Sequence, residues 1–148
     1  MKFKKYILYI LYVILICILV LFINWCTYLS KDYFKTTFEI NILYSIILGF
    51  AAILLGVLLS IEYLIKQFKM DGTWKVNVVK LIFVVLPLLF LSFSLNIYYL
   101  NIFPGLCNTL LKLNLSIPSY LIFGIFCGYN FATSFYKVKS VNNKSIQL

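Results

Sequence analysis

Four long stretches without a charged residue constrain the fold of this chain more than any other feature. Each has at least 22 residues, and they cover residues 6–30, 40–61, 81–111 and 113–136. A bilayer core about 30 Å thick is crossed by about 20 helical residues. Lipid offers no hydrogen bonds, so a span is a helix or part of a closed barrel, and these stretches lack the alternation of barrel strands. The pattern predicts an all-α, four-helix transmembrane bundle.

The predicted spans are residues 6–24, 42–64, 78–100 and 118–136. We expect one transmembrane domain over residues 1–148, because no linker or repeat divides the chain. Asn77 suits the N-cap of the third helix, Pro118 the first turn of the fourth, and Gly72 the end of an extended second helix. Pro87 lies inside the third span, where its missing N–H is expected to kink the helix.

Composition excludes several classes of protein. The chain is 64% apolar and 11% charged, whereas soluble domains are about half apolar and a quarter charged. A soluble enzyme, a disordered tail and a disulfide miniprotein are therefore excluded. The net charge is +9, but the 13 basic residues are all lysine. Base readout favours arginine, so we expect no nucleic-acid partner.

The lysines predict the orientation. With the N-terminus in the cytoplasm, the outer loops hold three lysines (Lys31, Lys35 and Lys112). The inner segments then hold ten: Lys2, Lys4, Lys5, Lys66, Lys69, Lys75, Lys80, Lys137, Lys139 and Lys144. Short inner loops are enriched in positive charge, which predicts an N-in, C-in topology. The inner lysine cluster is expected to attract anionic lipid. Residues with AT-rich codons and the absence of arginine indicate a bacterial genome of low GC content. For a chain with four predicted spans, we therefore expect the bacterial cytoplasmic membrane as the location.

Small residues mark two candidate helix-packing stripes. On the second span they recur at steps of three or four residues: Ser45, Gly49, Ala52, Gly56 and Ser60. On the fourth span Gly124, Gly128 and Ala132 are each four residues apart. Small side chains let helix backbones approach closely in lipid. We expect these stripes to pack inside one monomer, and a homo-oligomer seam or a face for a larger partner is the alternative.

Three polar residues inside the spans are candidate functional groups. Glu62 is the one acidic residue in a predicted span, and Lys66 lies four residues later, so a paired and snorkelling side chain is expected. The alternative is a proton or cation site. Asn130 and Asn96 lie in the fourth and third spans, with Ser92 four residues before Asn96. Bonding between helices is expected for them, and a hydrated path is the alternative.

The inner loop and the cysteines carry weaker signals. Asp71-Gly72 favours a tight turn, which either closes a small hairpin or lays Phe68 and Trp74 on the lipid headgroups; the second is favoured. The chain has four cysteines and no histidine, so no metal or other cofactor is predicted. Cys26 and Cys107 both fall on the outer side, where free thiols are expected and a disulfide is the alternative.

These patterns predict a class of protein and no reaction. The short loops and the lack of a catalytic constellation favour an accessory or scaffold membrane protein that acts through helix contacts, and not an enzyme. The alternative is a small transporter or channel subunit that works as an oligomer, although no charge lies at mid-membrane. The expected partners are the bilayer and either a second copy or a larger membrane protein.

Overall fold

The computed structural model describes residues 2–38, 41–99 and 119–138, which are mostly helical. The elements are α1 (Lys2–Thr37), α2 (Ile42–Leu59), α3 (Ile61–Lys69), β1 (Thr73–Val76), α4 (Val78–Lys80), a π-helical turn (Leu81–Val85), α5 (Leu86–Ser92), α6 (Ser94–Tyr99), α7 (Ser119–Ala132) and β2 (Phe135–Val138). Within these ranges, two helical segments are long and apolar enough to cross a membrane, Tyr9–Thr37 and Ile42–Leu59. Two apolar segments are shorter, Val78–Ser92 and Ser119–Ala132.

Helix α1 extends far beyond the predicted span of residues 6–24. It has 36 residues and ends at Thr37. It continues past residue 24 because no glycine or proline interrupts its second half. The hydroxyls of Thr36 and Thr37 both donate to the carbonyl of Tyr33, at 3.0 and 2.7 Å, in the last turn. Phe38 then ends the helix with a φ of 55°. The charged segment expected in the first outer loop is therefore helical as far as Thr37.

The second predicted span, residues 42–64, consists of two helices. The side chain of Asn41 caps α2 by accepting from the N–H of Leu43 at 3.0 Å. Ser60, with φ −90° and ψ 3°, separates α2 from α3, and its hydroxyl donates to the carbonyl of Val57 at 2.7 Å. Helix α3 then continues to Lys69. Met70, with φ −78° and ψ 136°, already ends the helix, so Gly72 is not the helix stop that was predicted. Gly72 lies in the turn that follows, with a φ of 148° that favours glycine.

The third predicted span is helical from Val78 to Tyr99 with two irregularities. Asn77 is the predicted N-cap, since its side-chain oxygen accepts from the N–H of Lys80 at 3.0 Å. In the π-helical turn the N–H of Leu86 donates to the carbonyl of Leu81, five residues back. This turn comes directly before Pro87, which cannot donate to the carbonyl four residues earlier. Phe93, with φ −99° and ψ 16°, separates α5 from α6.

The predicted end of the fourth span at residue 136 is wrong, because α7 ends at Ala132. The hydroxyls of Thr133 and Ser134 donate to the carbonyls of Tyr129 and Asn130 at 2.9 and 2.7 Å, which satisfies the last turn. The chain then forms strand β2. Pro118 and the second outer loop lie outside the described residues.

Strands β1 and β2 form an antiparallel two-stranded sheet, with Trp74 opposite Lys137 and Lys75 opposite Tyr136. Neither reading of the inner loop anticipated this pairing. A hairpin within the loop is wrong, since β1 pairs with the segment after α7. The sheet places the end of α3, the start of α4 and the end of α7 at one end of the molecule.

Helix α2 lies at the centre of the packing. Its largest contact is with α7, which also packs on α5 and the π-helical turn. Helix α1 packs mainly on α2. The hydroxyl of Tyr12 donates to the carbonyl of Leu58 at 3.1 Å, so the start of α1 lies beside the end of α2 and the two helices are antiparallel. The largest fully buried side chains are Leu48, Cys127, Ser60 and Ser134.

Candidate functional site

The glycines of α2 and α7 lie where the two helix backbones meet. A Cβ atom added to Gly56 would overlap the carbonyl oxygen of Ile125, and one added to Gly128 would overlap the carbonyl oxygen of Ile53. No side chain larger than hydrogen fits at either position without moving the opposite backbone. The contact is therefore one of main chain against main chain, which in lipid gives close dispersion contact.

The other small residues of the stripes are also buried. A Cβ atom on Gly124 would lie 2.8 Å from the Cβ of Ala52. One on Gly49 would lie 2.8 Å from Cε1 of Phe93, which lies between α5 and α6. Ser45, Ser60 and Ala132 are buried as well. The structure thus brings the glycines of both stripes into contacts within one chain.

Helix α1 carries large apolar side chains that nothing in the described structure covers. Along Tyr9–Thr37, 6% of the most apolar window is buried, against 33% for Ile42–Leu59. The exposed surface is broad and also includes Tyr9, Ile10 and Val13, which are 55% to 59% exposed. Within it, we name one set of side chains spaced four and three residues apart the open seam. Its members are each 49% to 67% exposed: Ile7, Leu11, Ile14, Ile18, Leu21, Trp25 and Tyr28.

The open seam lies opposite the side of α1 that packs on α2. The partly or fully buried side has the same spacing, two residues out of phase, which is about 200° around a helix. Its members are Tyr12, Ile16, Leu19, Ile23, Cys26 and Ser30. Steps of three and four residues match the spacing by which one helix packs along another. Helix α1 can therefore hold α2 on one side and a second helix on the other.

An apolar groove of about 560 Å³ lies between α1 and α2. Leu19 and Phe22 of α1 line it, together with Ile46, Phe50 and Leu54 of α2. No charged side chain lines this groove, so it offers dispersion contact and no directional hydrogen bonding.

Two candidate polar side chains are buried without a partner. Ser92 is 2% exposed and Asn96 is 7% exposed. Among the residues that the structure describes, the Ser92 hydroxyl and both side-chain polar atoms of Asn96 find no hydrogen-bond partner. Ser92 lies against Gly124, whose added Cβ would be 2.9 Å from the hydroxyl oxygen. An unpaired amide in an apolar surrounding lowers stability, so this pair is an unusual feature of the core.

Asn130 and Glu62 are placed differently from the expectation. The side-chain nitrogen of Asn130 donates to the carbonyl of Phe126 at 2.8 Å, within its own helix, so the expected bond between helices is absent there. Glu62 is exposed in the first turn of α3. Among the described residues it forms no ion pair with Lys66. A negative charge at that position favours the start of α3 through the helix dipole.

Lys137 joins the two-stranded sheet to the end of α3. Its ammonium group donates to the carbonyls of Phe68 and Met70 at 3.2 and 2.9 Å, and it lies 5.2 Å from the ring centre of Trp74. Its backbone N–H donates to the side-chain oxygen of Gln67 at 2.8 Å. One lysine therefore satisfies the free carbonyls at a helix end and fixes an aromatic ring.

A second lysine, at the end of α4, joins that helix to the end of α7. The ammonium group of Lys80 donates to the hydroxyl of Thr133 at 2.7 Å, and the N–H of Asn77 donates to the carbonyl of Ser134 at 2.9 Å. Sequence reasoning assigned Lys80 and Lys137 to orientation and to the attraction of anionic lipid, and it missed these contacts. Their partners are far away in the sequence, and no local pattern marks them.

The described cysteines, Cys17, Cys26 and Cys127, are free thiols. The question of a bond to Cys107 lies outside the described residues. Within the described ranges, no three residues of the metal-binding types form a group that could hold an ion. Comparison with known proteins adds no family: no family model matches the chain, and no curated protein or solved structure matches it significantly.

Proposed function

We propose that the chain is a four-span protein of a bacterial cytoplasmic membrane, with both termini in the cytoplasm. Two segments able to cross a membrane support this, as does the excess of lysines at one end. The antiparallel packing of α1 on α2 and the two-stranded sheet also bring the start of α1, the end of α3 and the end of α7 to the same end.

Within that membrane, the proposed role is that of an accessory or scaffold subunit that binds a larger membrane protein through α1. The open seam is the observation that carries this proposal. A helix that is apolar on all sides is normally enclosed by protein or lipid. The regular three-and-four spacing of the seam provides the knobs that a partner helix would pack against.

Charge at the start of α1 favours a different protein over a second copy as the partner. Two copies in one membrane share one topology, so their α1 helices would pack in parallel. Lys2, Lys4 and Lys5 of both copies would then lie together, with no acid among the first 31 residues to offset them. Like charges at close distance oppose association, which leaves a partner without this basic end as the better fit.

Site-specific cross-linking tests this role. A photoreactive phenylalanine analogue replaces Leu21 in the open seam, and the matched control carries it at Phe83 in the π-helical turn. Both side chains are highly exposed, at 67% and 74%. In native membranes, the analogue at position 21 should label one larger protein in high yield, and the control should not. Equal labelling of many proteins from both positions would contradict the proposal.

The unpartnered pair Ser92 and Asn96 favours a second candidate function, a small transporter or channel subunit. The pair lies at the junction of α5 and α6, and a π-helical turn precedes α5. Interrupted helices with free polar groups line the binding sites of many transporters. Liposomes containing the protein should then swell in isosmotic urea or glycerol, and Asn96→Leu should abolish the swelling. Swelling no faster than that of protein-free liposomes would exclude this candidate for these solutes.

A further inference from the structure

Helix α3 is amphipathic and lies beyond the part of α2 that is long enough for a bilayer. Its apolar residues follow the helical spacing: Ile61, Leu64, Ile65 and Phe68. Lys66 and Lys69 lie on the polar side, and no residue of α3 is fully buried. A short amphipathic helix with lysines on its polar side is typical of segments that lie at a membrane surface.

The lysines around α3 fall into two groups. Lys137 and Lys80 have their ammonium groups bound to protein atoms, as described above. The side chains of Lys66, Lys69 and Lys75 are exposed, and their ammonium groups form no hydrogen bond or ion pair within the described part of the chain. Among the lysine side chains that the structure describes at this end, the charge available to an outside ligand is therefore concentrated on these three.

Two exposed aromatic rings lie among the free lysines. Phe68 and Trp74 meet edge to face with their ring centres 5.0 Å apart, and they are 67% and 43% exposed. Phe68 is next to Lys69 in the chain, and Trp74 is next to Lys75. We name these residues the headgroup patch: Lys66, Phe68, Lys69, Trp74 and Lys75. Its free ammonium groups and amphipathic rings match the phosphate and the upper acyl region of a phospholipid.

We infer that the headgroup patch binds anionic phospholipid of the inner leaflet, through the ammonium groups of Lys66, Lys69 and Lys75. This rests on the proposed membrane bundle, and it narrows the attraction expected of the inner lysines, among the five whose side chains the structure describes, to three residues. Lys137 holds the ring of Trp74 in place and takes no part in lipid binding. The preference is electrostatic, so it declines as salt concentration rises.

Tryptophan quenching by brominated lipid tests the inference on the full chain. The chain has two tryptophans, so Trp25→Phe leaves Trp74 as the reporter. The protein is placed in vesicles of equal parts phosphatidylcholine and phosphatidylglycerol, with one lipid brominated at a time. Brominated phosphatidylglycerol should quench Trp74 with at least about a fivefold preference, which corresponds to one lysine contact. The triple variant K66Q/K69Q/K75Q should reduce the preference to near one.

A matched variant distinguishes lipid binding by the headgroup patch from a general effect of the positive charge of the protein. The double variant K31Q/K35Q neutralises exposed lysines near the opposite end of α1, and it should leave the preference unchanged. Equal quenching by both lipids in the Trp25→Phe protein would overturn the inference, as would a preference that survives in the triple variant. Quenching of Trp74 by aqueous acrylamide and by neither lipid would overturn it, because the ring would then face water.

A second measurement on the same protein distinguishes failure of the lipid-binding inference from failure of the membrane proposal. Insertion is measured by flotation with vesicles of phosphatidylcholine alone. A protein that floats with them but shows no preference for the anionic lipid lacks the lipid site and keeps its membrane bundle. A protein that does not float with them lacks the membrane bundle, and the inference then falls with it.

Discussion

Helices α1 and α2 are both strongly apolar, yet they occupy opposite situations in the molecule. Helix α2 contacts α1, α6 and α7, whereas α1 packs mainly on α2. The difference follows from side-chain size. Helix α2 contains two glycines and two alanines, and α1 contains none of either. Where the helix and the surrounding lipid are both apolar, hydrophobicity does not favour one helix contact over another. The helices whose backbones can approach closely are then the ones that pack together.

The largest effect is expected from closing the space between α2 and α7. In Gly128→Leu the new side chain would collide with the carbonyl of Ile53. Overpacking against backbone should destabilise the fold by about 3 kcal/mol. Unfolding in mild detergent, titrated with a denaturing one, measures the change. Cys17→Leu, at an exposed position of α1, is the control and should change stability by less than about 0.5 kcal/mol.

A smaller loss of stability is expected when the contacts of Lys137 beside the two-stranded sheet are removed. Lys137→Met keeps the length of the side chain and removes two hydrogen bonds to carbonyls and the contact with Trp74. Stability should fall by about 2 kcal/mol, measured by the same titration. Lys75→Met in the neighbouring strand has no such contacts and should leave stability nearly unchanged. Equal effects of the two substitutions would contradict the assignment of Lys137 as a structural residue.

The unpaired hydroxyl of Ser92 predicts a gain. Ser92→Ala removes a buried hydroxyl that makes no hydrogen bond within the described part of the chain. Stability should rise by about 1 kcal/mol. Ser134→Ala removes a hydroxyl that donates to the carbonyl of Asn130, so it should lower stability instead. A loss of stability in Ser92→Ala would show that the hydroxyl has a partner, and it would remove the free polar group on which the transporter candidate rests.

The smallest effect is expected between α1 and α2. Tyr12→Phe removes the hydrogen bond to the carbonyl of Leu58 and leaves the ring in place. A partly buried bond of this kind contributes about 1 kcal/mol or less. Because α1 packs mainly on α2, the same variant should increase hydrogen exchange in α1 and leave α7 unchanged. Equal increases in both helices would show that α1 is part of the core.

The sequence predicts the central contact better than the rest, for a physical reason. Glycine spacing is a local property, and a helix turns any four-residue repeat into one face, so Gly56 and Gly128 were identifiable. The pairing of Trp74 with Lys137 was not, because it joins distant segments through backbone atoms that every residue has. The length of α1 was also missed, since Lys31 and Asp32 suit a loop as well as a helix end.

The polar residues show the same limit. Asn130 was identified correctly as a polar group within a helix, but its partner is a carbonyl of its own helix. Side-chain oxygen and nitrogen atoms bond to whichever group is nearest, and spacing in the sequence does not decide between one helix and its neighbour. Burial of Ser92 and Asn96 without a partner depends on packing by α2 and α7, and three-dimensional packing alone reveals it.

The most direct test of the accessory role is the mass of the complex extracted gently from native membranes, with its components identified. The wild-type chain of 17.3 kDa should be found with one larger protein in fixed ratio. Replacing Leu11, Ile18 and Leu21 of the open seam by alanine should release it, while Phe83→Ala should not. A wild-type chain found alone, or with copies of itself and no other protein, would contradict the account.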